Sequence, residues 1–428
     1  MKNFIWNKTE NAFFNKKTNF NLTTMLSALQ DLNNPHENLE KFVIHVAGTN
    51  GKGSTVSYIK TILEKHGYKV GVFTSPHLVE YNERIYANSR FITDKEIEKY
   101  KKKIIKNCKN VNEISFFEAT TLIAILFFCD LQKKEKLKYF IFEVGLGGRL
   151  DATNIFKKPL ISVITSISFD HTDKLGFTLK EIAREKGGII KQNVPVFTSN
   201  TDKEIIDEIQ NIANNMNSKL FILNRDFLLD KKLKPSLIGD HQLINATLAS
   251  EACKFIGIDY KSIQNGVSET KWPGRLQQII LKNIDKKTLN ISQIFLDGAH
   301  NEGGIRVLCN YISKLRDTQR KNIQKNNKKL NIIGIFACLE RKEYKLFFPF
   351  FKKNAFDELL FFNVPKNVNN FASTMKLSKL ANENNIKNKT IQSFLEIKDL
   401  VDKNKDNVIF IFGSLYFVGW VIENHIQH

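Results

Sequence analysis

The stretch "KFVIHVAGTNGKGSTVSYI" (Lys41–Ile59) restricts the fold more than any other part of the chain. A short apolar run rich in β-branched residues runs straight into a glycine-rich turn, and a helical pattern follows without a gap. That order predicts a buried strand, a loop and a helix start, the setting of a nucleotide-phosphate loop. Gly48, Gly51 and Gly53 let the backbone approach an anion and aim amides at it, and the dipole of the following helix adds to their pull. Lys52 supplies a point charge for β- and γ-phosphates. The hydroxyl falls one place later than in the usual pattern, because Gly53 stands between Lys52 and Ser54. Ser54 can still reach a Mg²⁺ ion from there.

The same alternation continues along the chain. "KVGVFT", "KYFIFEVG" and "PLISVITSI" read as strands, and "FFEATTLIAILFFCDL" as a buried helix. "TLKEIAREKGGII" reads as a helix opened by Thr178, a good N-cap. Strand–helix alternation of this kind predicts a doubly wound α/β sheet with helices on both faces. Proline and glycine interrupt it in "ETKWPGRLQ" (Glu269–Gln277). A second α/β set follows in "IFLDGAHNEGGIRVL", "LNIIGIFACLE", "FDELLFF" and "DNVIFIFGSLYFV". The expected organisation is therefore two domains, 1–272 with a phosphate-loop sheet and 273–428 with a smaller Rossmann-like one. "RKNIQKNNKK" (Arg320–Lys329) is expected to be a surface loop of the second.

The formal net charge of +20 raises the question of nucleic acid. The lysines are dispersed in short clusters, Lys99–Lys103 and Lys133–Lys138 among them, that alternate with acids or apolar residues as solvated helix faces do. No recognition helix, zinc module or RNA-binding aromatic motif accompanies them, so anionic small molecules are the better match. Five scattered cysteines without CxxC pairs argue for a reducing compartment and against a disulfide framework or structural zinc. The N-terminus lacks a signal-peptide pattern. The longest apolar runs, Thr121–Phe128 and Val408–Ile422, fall short of the ~20 residues of a spanning helix. A cytoplasmic monomer acting on small molecules, without a nucleic-acid or membrane partner, is expected.

Four further stretches are too polar for their setting. "TSPHLVEYNERI" (Thr74–Ile85) follows a strand and reads as a loop. "FEVGLGGRLDATN" puts Glu143 at a strand end before a glycine-rich loop. "SISFDHTDKLG" puts Asp170 and His171 at another strand end, and "REKGGIIK" puts Lys186 near the end of a helix. Open α/β sheets bind ligands at their strand C-termini, so Glu143 and His171 are expected on the edge that carries the phosphate loop. A carboxylate and an imidazole there suit Mg²⁺ and anionic substrates.

With these motifs in order, together with "FNLTTMLSALQDL", "HQLINATLA", "WPGRLQ", "LDGAHN" and "FGSLY", the chain resembles the folylpolyglutamate synthases and dihydrofolate synthases of the Mur ligase superfamily. "GTNGKGS" looks like that family's own version of the loop, which accounts for the displaced serine. The resemblance implies an ATP-dependent amide ligase: a pteroate or folate carboxylate takes the γ-phosphate of ATP, and the amino group of glutamate displaces phosphate. It places ATP on Asn50, Gly51, Lys52, Gly53 and Ser54, and on Asn245, Arg275 and Asp297 across the domain boundary. It implies two Mg²⁺ ions, one on Ser54, Ser75 and Glu143, the other on His171 and on Lys186 carrying a carbamate. Lys52, Lys186 and His300 would carry catalysis, and His300 and Ser414 would face glutamate. The pterin side would be formed by Thr18, Asn19 and Phe20, by Phe116, Phe117 and Glu118, and by Leu150, Asp151 and Ala152. Asp151 would accept hydrogen bonds from the pterin amino donors, the alternative being that it caps its turn. "RLDATN" further implies a bifunctional enzyme that acts on dihydropteroate and also lengthens folate tails.

Two other classes compete. A nucleotide switch or kinase shares the phosphate loop but has no use for "DGAHN" and "FGSLY". A cell-wall amide ligase of the same superfamily shares the mechanism, yet usually carries an additional N-terminal domain. The loop begins at Gly48, leaving less sequence ahead of it than the roughly 50 residues of a minimal domain, which favours folate.

Overall fold

The computed structural model describes residues 21–322, 329–352 and 355–427. The first sheet comprises β1 (Val43–Ala47), β2 (Val70–Phe73), β3 (Ile85–Ala87), the exposed two-residue β4 (Arg90–Phe91), β5 (Tyr139–Glu143), β6 (Ile161–Ile164), β7 (Val196–Thr198) and β8 (Leu220–Ile222). Their order across the sheet is β4-β3-β2-β5-β1-β6-β7-β8. From β2 to β8 every pairing is parallel, while β3 and β4 add an antiparallel edge. Every residue of β1, β2, β5 and β6 is buried, as strands covered on both faces must be.

Local signals set the helices. The helix Phe116–Glu135 opens with a capping box in which Ser115 and Glu118 satisfy each other's backbone amides. Thr178 and Glu181 do the same for Leu179–Gly187, as Thr93 and Glu96 do for Asp94–Asn107. The helix Lys52–Lys65 ends where Gly67 turns left-handed at φ 93° and Tyr68 N donates to Leu63 O, 3.0 Å. Aromatic rings fill the space between sheet and helices. Phe142 lies 4.9 Å from Phe156 and 5.7 Å from Phe128, centroid to centroid, and all three are fully buried.

The second sheet comprises β9 (Gln277–Gln278), β10 (Ile291–Asp297), β11 (Leu330–Phe336), β12 (Glu358–Phe362), β13 (Asn388–Ile391) and β14 (Asp406–Phe412), ordered β13-β12-β11-β14-β10-β9. All pairings are parallel except that of β9 with β10. Phe356 stacks on Phe412 at 5.2 Å, and Phe295 on Phe410 at 5.1 Å. The chain divides into two compact units: one extends to Trp272, and Pro273–His428 with Leu237–Asp240 form the other. All five cysteines are buried free thiols.

Three local expectations change. Thr74–Ile85 is not loop throughout, since Tyr81–Arg84 form a short 3-10 turn and Ile85 starts β3. Asp170 and His171 lie beyond the end of β6 at Ile164, with His171 preceding the short helix Thr172–Leu175. The helix Glu302–Asn322 absorbs the start of the lysine–asparagine stretch expected as loop, and residues 323–328 lie outside the described residues. Apolar residues repeating at helical spacing up to Leu315 carry the helix into that polar segment.

Burial makes a quantitative difference between two phenylalanines of the first unit. Phe142 is fully buried and Phe177 is 78% exposed. Phe142→Ala is expected to cost ~3–5 kcal/mol in urea denaturation. Phe177→Ala should stay within about 0.5 kcal/mol of the parent. Equal losses would mean that the ring cluster around Phe142 is not a close-packed core.

Candidate active site

The neighbouring strands β1 and β6 send the chain in opposite directions, β1 towards β2 and β6 towards β7. Such a reversal opens a crevice at the strand C-termini, where ligands of open α/β sheets bind. The two loops leaving it are stitched together. Thr49 N donates to Ser166 O at 2.8 Å, and Thr165 Oγ1 donates to Asn50 O at 2.8 Å. Asn50 Nδ2 donates to Ser168 Oγ, and Thr49 Oγ1 to Ser168 O, both at 3.1 Å. Gly48 has φ 143°, and a Cβ there would stand 1.9 Å from Thr165 Oγ1, so no side chain fits the seam.

The helix Lys52–Lys65 starts from Gly51, and the first amide with a helical acceptor is Thr55 N, 2.9 Å from Gly51 O. The amides ahead of it are those that a helix leaves for caps or anions. Lys52 folds back over the loop, with Nζ 3.2 Å from Gly48 O and 3.3 Å from Thr49 O. Lys186 Nζ reaches the same Gly48 O at 2.9 Å. Burial first, and then the charge of Lys52, bring the Lys186 amine down to about 7. A Cβ on Gly53 would lie 2.8 Å from Trp272 Nε1. The indole therefore occupies the space that a side chain next to Lys52 would need, which accounts physically for the serine's one-residue delay. Ser54 is buried and takes a long contact from Gln242 Nε2, 3.4 Å, while Asn245 packs against Gly51.

Glu143 ends β5, which lies between β2 and β1, and its Oε2 accepts from Ser75 N at 3.2 Å. Ser75 follows the adjacent β2, and Ser54 lies in the first turn of the helix after the adjacent β1; with Glu143 they offer hydroxyl and carboxylate oxygens of the kind that fits a hard cation such as Mg²⁺. Among the described residues no three His, Cys, Asp or Glu side chains converge on one point. That donor set fits an ion completed by water and phosphate oxygens, not a closed protein cage. His171 stands 3.8 Å from Asp170. Lys186 as an ammonium is a donor and offers a metal nothing.

The pterin candidates come together in part. Phe117 lies against the backbone of Gly145, where a Cβ would be 2.4 Å from its ring, so the helix start adjoins the glycine-rich loop after β5. Phe116 is flanked edge-on by Tyr81 at 5.8 Å, and the Arg84 guanidinium lies 5.5 Å over its ring. Glu118 spends Oε2 on Ser115, as its capping box requires. Leu150 is half-buried and Ala152 buried in the same loop. Asp151 behaves as a turn cap: Oδ2 accepts from Leu146 N at 2.8 Å, and Oδ1 from Thr153 N at 3.0 Å and Thr153 Oγ1 at 2.6 Å. Each of its carboxylate oxygens is thus engaged inside its own loop. Thr18, Asn19 and Phe20 lie outside the described residues.

One residue inside the opening motif has a structural task that its strand pattern does not show. His45, in the middle of β1, is fully buried and meets Thr153 Oγ1 at 2.9 Å. Because the Thr153 proton goes to Asp151, His45 Nε2 is the donor, and its Nδ1 is a buried acceptor without a hydrogen-bond partner. Burial takes the imidazole down to about 3. An imidazole inside an otherwise apolar five-residue run is the signal that marks it.

In the second unit, Asp297 ends β10 and accepts from Leu276 N at 2.9 Å and Ala299 N at 2.8 Å. Burial raises its carboxyl, with nearby Arg275 acting in the opposite sense. Arg275 lies across Gly298, whose Cβ would meet its Nη1 at 2.3 Å, and Leu415 crowds the same glycine. His300 Nδ1 is 2.7 Å from Gly298 O, and Ser414 caps the helix Leu415–His425 through Tyr416 N. Arg275, Asp297, His300 and the Ser414 turn therefore gather at adjacent ends of β10 and β14.

This layout defines a class: residues 46–227 match the Mur ligase middle domain, and residues 278–424 match the C-terminal domain of dihydrofolate synthetase. The dihydrofolate synthase/folylpolyglutamate synthase of Bacillus subtilis is 31% identical over 93% of this chain and 93% of its own. The chain belongs to the dihydrofolate synthase/folylpolyglutamate synthase family. Among solved structures, Escherichia coli FolC in complex with DHPP and ADP aligns with a TM-score of 0.80 at 26% identity, covering 96% of this chain and 95% of that one. The bifunctional enzyme of Yersinia pestis, complexed with AMPPNP and a Mn ion, gives 0.79 at 25%, covering 95% and 94%. No helix among the described residues is long and apolar enough to cross a membrane.

His45 makes stability depend on pH in a defined direction. Its folded-state pKa lies near 3, below the ordinary 6.5, so between these values the unfolded chain binds a proton that the folded chain refuses. Stability is therefore lost as pH falls from 6.5 towards 3. In His45→Gln, the slope of unfolding free energy between about pH 4 and 6 should be shallower by ~1.4 kcal/mol per pH unit. An unchanged slope would mean that His45 is protonated in the folded protein.

Proposed function

We propose that the chain is an ATP-dependent ligase that joins L-glutamate to dihydropteroate, giving dihydrofolate, and to folates, giving polyglutamates. The observation that carries this reading is the pairing, over the chain's length, of a phosphate loop at a switch point with the second unit's matching domain. A carboxylate oxygen of the pteroate or folate attacks the γ-phosphorus of ATP, and the bond to the bridging oxygen breaks to release ADP. The glutamate nitrogen then attacks the acyl carbon, phosphate leaves, and the nitrogen loses a proton as the amide forms. Both steps need positioning and charge neutralisation more than covalent help from the protein.

In this reading the loop Asn50–Ser54 holds the phosphates, and Lys52 neutralises charge that builds up in transfer. Asn245, Arg275 and Asp297 serve ATP, and His300 and Ser414 serve glutamate. Phe116, Phe117 and the loop at Leu150–Ala152 take the pterin side, with Asp151 holding the loop's shape. Mg²⁺ at Ser54, Ser75 and Glu143 would supply Lewis-acid neutralisation of the phosphates. His171 and a carbamate on Lys186 are our candidates for a second ion. What supports the carbamate is that Lys186 is buried beside the phosphate loop, where an amine offers a cation nothing and a carbamate oxygen does.

Two experiments test this reading. Purified protein with dihydropteroate, glutamate and MgATP is expected to release phosphate and form dihydrofolate. Turnover only with tetrahydrofolate substrates would leave a tail-lengthening enzyme and end the bifunctional reading. Lys186→Ala should lose ligation at least about a hundredfold, and millimolar short-chain carboxylates should restore part of it by supplying the missing oxygen ligand. Full activity in Lys186→Ala would remove the second metal site.

A further inference from the structure

The seam that shapes the phosphate loop is itself held from behind, by a residue on neither of its strands. Asn200 follows β7 and is 5% exposed. Its Oδ1 accepts from Ile167 N at 2.8 Å, and its Nδ2 donates to Thr165 O at 2.8 Å and to Thr198 Oγ1 at 2.8 Å. One amide thus grips the loop after β6 at two backbone points on either side of Ser166. Ser166 O is the acceptor of Thr49 N, and the Thr165 hydroxyl, on the residue gripped at its carbonyl, donates to Asn50 O. Thr49 and Asn50 lead directly into Gly51 and Lys52. The chain of contacts therefore runs from β7, through the Asn200 amide and the Thr165–Ile167 backbone, into the loop that would cradle phosphate.

We propose that Asn200 is a positioning residue for the nucleotide: it sets the seam against which the phosphate loop is shaped, without touching ATP. The side chain suits this because it presents one acceptor and one donor edge to a backbone N–H and a backbone C=O two residues apart. A carboxylate would keep the first contact and turn the second into two opposed acceptors in a buried site, whereas alanine would lose both. A role in packing alone would lower stability and leave nucleotide affinity where it was.

The inference rests on the reading of the loop as an ATP site, and the test separates the two. Binding of a non-hydrolysable ATP analogue with Mg²⁺ is measured by calorimetry for the parent, Asn200→Asp, Asn200→Ala and Asn407→Ala. Asn407 is a fully buried amide of the second unit whose Nδ2 donates to backbone carbonyls at Leu289 and Asp402, so its loss controls for destabilisation. Both Asn200 variants are expected to bind the analogue at least about tenfold more weakly, the scale of one buried hydrogen bond reversed, with Asn200→Ala, which loses both, no better than Asn200→Asp. In steady state KM for ATP should rise by a similar factor, while KM for dihydropteroate stays within about twofold of the parent. Asn407→Ala should lower the melting temperature and leave both constants unchanged. If the parent fails to bind the analogue, the ATP reading is what falls. Should the parent bind and Asn200→Asp match it, or should Asn407→Ala weaken binding equally, the positioning role is overturned. If Asn200→Ala does not fold, Asn200→Asp, which keeps the contact to Ile167 N, decides alone.

Discussion

The seam between the loops after β1 and β6 is the constraint on which the rest of the site depends. Strand ends in a parallel sheet leave the chain free to go anywhere, yet here two of them are fixed to each other through Thr49, Asn50, Thr165, Ser166 and Ser168. Once they are joined, the carbonyl of Gly48 faces the two lysines, Lys52 from its own helix and Lys186 from the helix behind. Two amines on one carbonyl are a poor arrangement by themselves, because the charge of Lys52 raises the cost of charging Lys186. The arrangement makes sense where several negative charges arrive together, as with a nucleoside triphosphate.

The glycine-rich loop after β5 shows a second use of the same economy. Asp151 ties that loop to itself, and through Thr153 the loop is tied to His45 on β1, the strand that feeds the phosphate loop. Arg149 N donates to Glu185 O at 2.7 Å, so the loop is also fastened beside Lys186. Groups assigned to different ligands thus share one framework of buried hydrogen bonds. Such networks are strong only when nearly every member is satisfied, and the bare Nδ1 of His45 and Oδ1 of Asn154 are exceptions here.

Much of this was legible in the sequence, and the limits have physical causes. β1, β5 and β6 are mostly apolar runs, Thr178 carries its glutamate three residues on, and the order of strand, loop and helix around Lys52 needs no tertiary knowledge. The β3–β4 edge stayed hidden because strands of three and two residues are too short to show a period. Sequence alone leaves Asp151 two possible tasks, since turn capping and ligand recognition use the same acceptor oxygens. Asn200 carried no signal: "TSN" is ordinary loop composition, and its partners become neighbours only when β6 and β7 pair. What a sequence withholds in such a site is the residue that stands behind the loop and meets its partners only through the tertiary fold.

The contact between Gly53 and the Trp272 indole also has an optical side. Indole emission shifts and quenches with the charges and dipoles around the ring, and this ring rests on the first turn of the helix that follows the phosphate loop. The chain has three tryptophans, and Trp420 lies among Phe362, Phe394 and Phe417 in the second unit's aromatic packing. An anion settling on the amides below Trp272 would alter the field at that ring. That indole would serve as a fluorescent gauge of the loop, placed against Gly53, where a side chain has no room to stand.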